Sequence, residues 1–174
     1  MNKNETGLAK FEGEKLRFYN IVLCQLQGGF GGAQATHGMS ELAVKYCFPR
    51  LTLKSEFLID YMENHKTSVL LSGGIYANML EMREFLDNES NPFPWSEFHE
   101  SQEFLGGLMT NLAIILPESV FNFVQNERKH ENKPCYPYSK GAISGGHEPY
   151  STVSGLTDYE IELARRISAM PLMK

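Results

Sequence analysis

Cysteine is scarce in this chain of 174 residues: Cys24, Cys47 and Cys135 are widely separated and form no Cys-x-x-Cys pair. That spacing excludes a disulfide framework and a thiolate zinc site, and the three read as reduced thiols, two of them in the core. No stretch approaches the roughly 20 apolar residues of a membrane helix. The opening MNKNETGLAKFEGEK is too polar for a secretory leader. The expectation is a cytoplasmic protein with no membrane association. Positive charge is also short: 16 Lys and Arg face 21 Asp and Glu, a net of −5. Generic nucleic-acid binding needs a basic face, so it is disfavoured. A Gly-x-Ser-x-Gly elbow, a His-Glu-x-x-His zinc motif and a Walker Gly-Lys-Ser/Thr are all missing, and Cys24, on an expected buried strand, is a poor nucleophile. Nothing calls for a metal or a cofactor.

What remains is 42% hydrophobic residues, enough for one core, and an uneven charge distribution. Residues 1–66 hold 8 basic and 7 acidic side chains, whereas residues 81–103 hold Glu81, Glu84, Asp87, Glu89, Glu97, Glu100 and Glu103 against Arg83 alone. This segment is either a solvated acidic surface or a patch for a basic or amine-bearing partner, a protein among them.

The apolar pattern alternates between short runs and helical stripes. Leu16–Leu26, Thr67–Ser72, a stretch around Trp95 and Phe98, and Leu108–Leu116 read as strands. The first and last are apolar without alternation, so they are expected at the centre of the sheet, covered on both faces. Gly31–Tyr46, Leu53–Asn64, Ile75–Leu86 and residues 118–129 read as helices. The spacing predicts a three-layer α/β/α domain over 16–129 with a mixed sheet of about four strands. A polar arm, 1–15, precedes it, and 130–174 follow as an irregular arm and a final helix. The arm, 130–156, combines Pro and Gly with Tyr136, Tyr138, His147 and Tyr150. The helix opens on a Thr157/Glu160 capping box and has Ile161, Leu163, Ala164, Ile167 and Met170 to bury. It must pack on its own domain or on another subunit, and a homo-oligomeric clasp is expected, with a different protein partner on the arm as the competing idea.

The sharpest local feature is Gln27–Gly38, QGGFGGAQATHG, a glycine turn between strand and helix. Small residues there allow close backbone approach, and a helix start presents unpaired N–H groups to an anion or a carbonyl oxygen. Gln34 and His37 share one helix face. In this arrangement Gly29-Phe30-Gly31-Gly32-Ala33-Gln34-Ala35-Thr36-His37-Gly38 resembles the Gly-Lys-x-Ala-Ala-Gln-x-x-His-Ala motif of the type 2 (archaeal and eukaryotic) peptidyl-tRNA hydrolases. Gly107-Leu108-Met109-Thr110 running into NLAIILP matches that family's Gly-x-x-Thr strand. The resemblance spans Phe18–Pro117, about three fifths of the chain. Two charged groups depart from it: Phe30 stands where the family has lysine, and Phe98–Glu103 replaces its Asp-x-Gly-x-Thr, with Glu100 in place of the aspartate, as in shorter, divergent members.

The resemblance implies hydrolysis of the ester between a peptide and tRNA. Gln34 and the N–H groups of Gly31 and Gly32 would polarise the carbonyl, Glu100 would orient or deprotonate water, Thr110 would position both, and His37 would stand behind them. Lys45 and Arg50, with Lys54, would supply a modest basic surface for tRNA. The competing reading is that Gln34 caps a loop, Glu100 is a solvated strand-end charge and Thr110 an ordinary strand residue. The fold would then be a catalytically degenerate protein-binding or regulatory module.

Overall fold

The protein's structure, a computed structural model, describes residues 6–26, 29–47, 52–131 and 155–173. Arg50, Cys135 and nearly all of the 130–156 arm lie outside these residues. Four strands make one mixed sheet in the order β2-β1-β4-β3. β1 (Leu16–Val22) runs parallel to β2 (Thr67–Ser72) and antiparallel to β4 (Met109–Pro117), and β4 pairs antiparallel with β3 (Trp95–His99). The two non-alternating apolar runs are therefore the two inner strands, and every residue of β4 is buried.

A parallel pair needs a crossover. Here α1 (Gly29–Tyr46) and α2 (Leu53–Asp60) supply it, the second opened by a Thr52/Ser55 capping box. They cover one sheet face, where Leu42, Leu58 and Tyr61 pack on Leu16, Phe18, Ala113 and Ile115. α3 (Tyr76–Leu86) covers the other, burying Met79, Met82 and Leu86 against Ile21, Leu112 and Ile114. The three-layer α/β architecture follows from these two covered faces, and no described helix is long and apolar enough to cross a membrane.

Several boundaries differ from the sequence reading. β1 ends at Val22, not Leu26, because its partner β4 begins at Met109; beyond it Leu23 still donates its N–H to Thr110 O (3.1 Å), and Cys24 turns away to Gly74 O (3.0 Å). The second crossover helix closes in a wide turn, Tyr61–His65, ended by left-handed Lys66 (φ 56°). Residues 118–131 form two pieces, α5 (Glu118–Phe121) and α6 (Phe123–Glu131), interrupted at Asn122.

Two assignments change more. Residues 6–11, expected within a polar arm, form a 3-10 helix that buries Leu8 and Phe11, the latter ring 5.5 Å from Phe93. Two isolated apolar residues carry no periodicity, so only the gap they fill reveals them. The last helix, α7 (Asp158–Ala169), belongs to the same core: Ile161, Leu163, Ala164 and Ile167 join the cluster of α3 and the sheet, and Tyr159 stacks on Phe85 at 4.7 Å. Its apolar face is covered by its own chain, which removes the burial argument for an oligomeric clasp. After it, Pro171–Met173 pairs with the edge of β2, Ser72 N–H donating to Pro171 O (2.8 Å) and Met173 N–H to Leu70 O (3.1 Å).

The N-terminal segment and α7 are joined by Glu160, 2% exposed, which accepts from the Thr157 N–H and from Lys10 Nζ, both at 2.7 Å. Removing only the cation strands a buried carboxylate, which costs more than neutralising it, since glutamine also serves a capping box. Lys10→Met is therefore expected to lose about 2 kcal/mol and Glu160→Gln about 1 kcal/mol or less, measured by urea denaturation.

Burial pushes the Tyr46 hydroxyl up to about 12, beside the Trp95 carbonyl that accepts its proton at 3.1 Å. A raised folded value means that this stability is fully present below about pH 10 and is lost as pH rises toward 12. Tyr46→Phe is expected to cost about 1 kcal/mol at pH 8 and to show a smaller further loss between pH 10 and 12 than the wild type, in denaturation curves taken across that range.

Candidate functional site

The site is assembled from three segments that meet where β1, β2 and β3 end and β4 begins. Gln34 comes from the second turn of α1, Glu100 from the residue after β3, and Thr110 from the second residue of β4. A register shift at Phe98/His99 ends regular pairing just before Glu100, the kind of irregularity that re-aims a side chain. The β3–β4 connection is then fixed by Glu100 N–H donating to Leu108 O (3.0 Å). The one-turn helix α4 (Gln102–Leu105), capped by Ser101, and the left-handed pair Gly106 and Gly107 (φ 62° and 76°) complete it. A non-glycine residue is strained in that conformation.

Gln34 Nε2 donates to Glu100 Oε1 at 2.7 Å, and Thr110 Oγ1 donates to Gln34 Oε1 at 2.9 Å. The donors dictate this orientation: a carboxylate only accepts, so the amide turns its nitrogen to Glu100 and its oxygen to the threonine. Thr110 Oγ1 is also 3.5 Å from Glu100 Oε1. One hydroxyl hydrogen serves one strong bond, and the 2.9 Å partner takes it. Gln34 and Thr110 are buried and Glu100 is half-buried. Its second oxygen has no hydrogen-bond partner among the described residues.

Beneath this group runs a buried line of amides. Asn111 Nδ2 donates to the backbone carbonyl of Gln34 and to Asn20 Oδ1 (3.2 Å), and Asn20 Nδ2 donates to Ser68 Oγ (3.2 Å). Both asparagines are fully buried. Gly38 lies directly over them: a Cβ there would sit 2.7 Å from Asn111 Nδ2 and 2.9 Å from Ala113 Cβ. Helix and sheet thus approach more closely than any side chain at 38 permits. Asn20, Asn111 and Gly38 were not singled out from the sequence, although an asparagine in the middle of each central apolar strand was a visible signal.

The other expected residues lie around this centre. His37, one turn on, lies tilted against the Phe98 ring with centroids 4.2 Å apart, and its buried Nδ1 has no partner among the described residues. It makes no hydrogen bond to the three central side chains. α1 starts at Gly29 rather than Gly31, so Gly31 falls in the first turn, where N–H groups have no intrahelical acceptor, and Gly32 falls where the helix's own bonding begins. Gly31 also faces Leu70 and Met173, and its missing Cβ leaves room for them.

Lys45 is three turns further along α1. Its ammonium lies 4.2 Å over the Trp95 ring and donates to Trp95 O at 3.0 Å. Desolvation there lowers its pKa. An open hollow of about 470 Å³ beside it is lined by Glu41, Lys45, Ser96, Glu97 and His99, apart from the Gln34 centre. In the acidic segment Glu97 accepts from Arg83 Nε at 2.9 Å, and Asp87 is 3.7 Å from the same guanidinium. No group of metal-ligating side chains is present among the described residues.

No family model and no curated protein matches this chain.

Thr110→Val keeps the shape and removes the hydrogen that Gln34 Oε1 accepts, leaving a buried amide oxygen unsatisfied. The expected loss is about 1–3 kcal/mol in chemical denaturation, with most of it recovered in Thr110→Ser.

Proposed function

We propose that the chain is a hydrolase of the peptidyl-tRNA hydrolase type, cleaving the ester that joins a peptide to the ribose of tRNA. The observation that carries the reading is the convergence of Gln34, Glu100 and Thr110 from three segments on one half-buried carboxylate. Glu100 is the proton acceptor: its partnerless oxygen takes the proton of a water whose oxygen attacks the ester carbonyl carbon. Gln34, held by Thr110, keeps the carboxylate aimed, and the first-turn N–H of Gly31 stabilises the oxyanion. Collapse breaks the bond to the ribose oxygen, which takes the proton back from Glu100, leaving deacylated tRNA, a free peptide acid that ionises in solution, and the carboxylate ready for another turn. Such a substrate belongs to the cytoplasm.

A second reading, a protein-binding module on the same fold, is favoured by the state of the cations. Lys45 is held by Trp95 and Arg83 by Glu97, while Phe30 replaces the family's lysine. A partner would then meet the acidic segment 81–103 or the 130–156 arm.

Incubation with purified peptidyl-tRNA separates the two. The enzyme reading expects release of free tRNA by the wild type, reduced about 100-fold or more in Glu100→Gln and less severely in Thr110→Val. A folded wild type that releases nothing ends the enzyme reading and leaves the binding module.

A further inference from the structure

Seven large apolar side chains are well exposed among the described residues, and five of them ring one end of the sheet. Phe30 (56% exposed) is four residues before Gln34, one helical turn away on the same side of α1. Phe104 (60%) and Leu105 (37%) belong to α4, the turn that immediately follows Glu100. Ile75 (57%) follows the Gly73-Gly74 turn at the end of β2, and Leu172 (68%) is bridged to Leu71 near the same strand end. Val44 and Leu80 are the two that lie elsewhere, on helices away from the strand ends. A single exposed apolar residue needs no explanation, whereas five at one end of a sheet, three of them in the two segments that carry Gln34 and Glu100, mark a contact surface.

The charges at this rim decide what fits it. Glu100 lies within it, and exposed Glu103 lies between Glu100 and Phe104 in the chain. An acidic group brought here meets carboxylates of the same sign, while an uncharged apolar group gains burial against the aromatic rings. We infer that this rim is a specificity surface for the acyl side of the substrate, selecting a peptide whose residue at the ester is large and apolar and rejecting an acidic one. The inference rests on the hydrolase reading for the identity of the acyl group, but the surface itself is testable without turnover. Phe30 and Phe104 are its principal specificity residues, one a helical turn before Gln34 on α1 and the other in the turn that follows Glu100.

The test titrates the full chain with N-acetyl-L-phenylalanine amide and, separately, with N-acetyl-L-aspartic acid α-amide, following backbone amide NMR shifts at residues 29–38 and 100–110. In parallel, peptidyl-tRNAs ending in phenylalanine or aspartate are assayed for release. The phenylalanine probe is expected to bind about tenfold more tightly, with its shifts centred on Phe30, Gln34 and Phe104. That preference should vanish in the Phe30→Ser/Phe104→Ser variant, whose unchanged shifts elsewhere certify its fold. Preferential binding without release by the wild type supports the surface and ends the hydrolase reading. Equal binding of the two probes, or a preference that survives in the double variant, overturns the inference whether or not release occurs. So does sedimentation showing a wild-type dimer that the double variant dissolves, because a second copy would then be the occupant.

Discussion

The contact between α1 and the sheet at Gly38 is the constraint on which the rest of the site depends. With no side chain at 38, the helix settles onto Asn111, Ala113 and Asn20 at distances that a Cβ would violate. Asn111 then reaches the carbonyl of Gln34 one turn earlier, fixing both the height of the helix and its rotation. Gln34 faces Glu100 and Thr110 as a result. Two fully buried amides under a helix would be costly without partners. Their hydrogen bonds to each other, to Ser68 and to the helix backbone offset part of that cost, leaving Asn111 Oδ1 unpaired among the described residues, and tie α1 to β1, β2 and β4 together.

The two faces of the sheet consequently do different work. The face under α3 and α7 is apolar from Tyr19 to Leu116, sealed at one side by Leu8 and Phe11 and closed by the Lys10–Glu160 pair. The face under α1 and α2 is apolar only toward Leu16, Phe18 and Ile115 and turns polar toward the strand ends, at Asn20, Asn111 and Ser96. In open α/β sheets ligands bind outside the carboxyl ends of the parallel strands. Here β1 and β2 end toward the polar half of this face and at the end where the exposed apolar residues stand. The larger apolar core and the candidate site thus lie on opposite faces of the sheet.

Electrostatics sets the character of any partner. Arg83 is drawn into the acidic segment by Glu97 and Asp87, and Lys45 is drawn onto Trp95, so neither projects freely as a phosphate anchor would. Glu100 itself is met by the Gln34 amide and the Thr110 hydroxyl, with no cation paired to it among the described residues. An apolar group brought to this end of the sheet would gain from burial more than from charge pairing.

The layer architecture was legible in the chain, because inner strands covered on both faces are apolar without alternation, and the runs around Ile21 and Ile114 are mostly so. The Thr157/Glu160 cap was equally legible, since capping is a local hydrogen-bond pattern of four residues. Gln34, Glu100 and Thr110 were reached by motif resemblance, but their distances were not, since they lie 66 and 76 positions apart in the chain. Four matters were decided only by tertiary structure: the approach at Gly38, the pairing of Asn20 with Asn111, the burial of Leu8 and Phe11, and the return of α7 onto its own core. The physical reason is the same in each. Periodicity and capping are written into neighbouring residues, whereas close approach, amide pairing and gap filling are satisfied by atoms far apart in sequence, and exist only once helix and sheet have met.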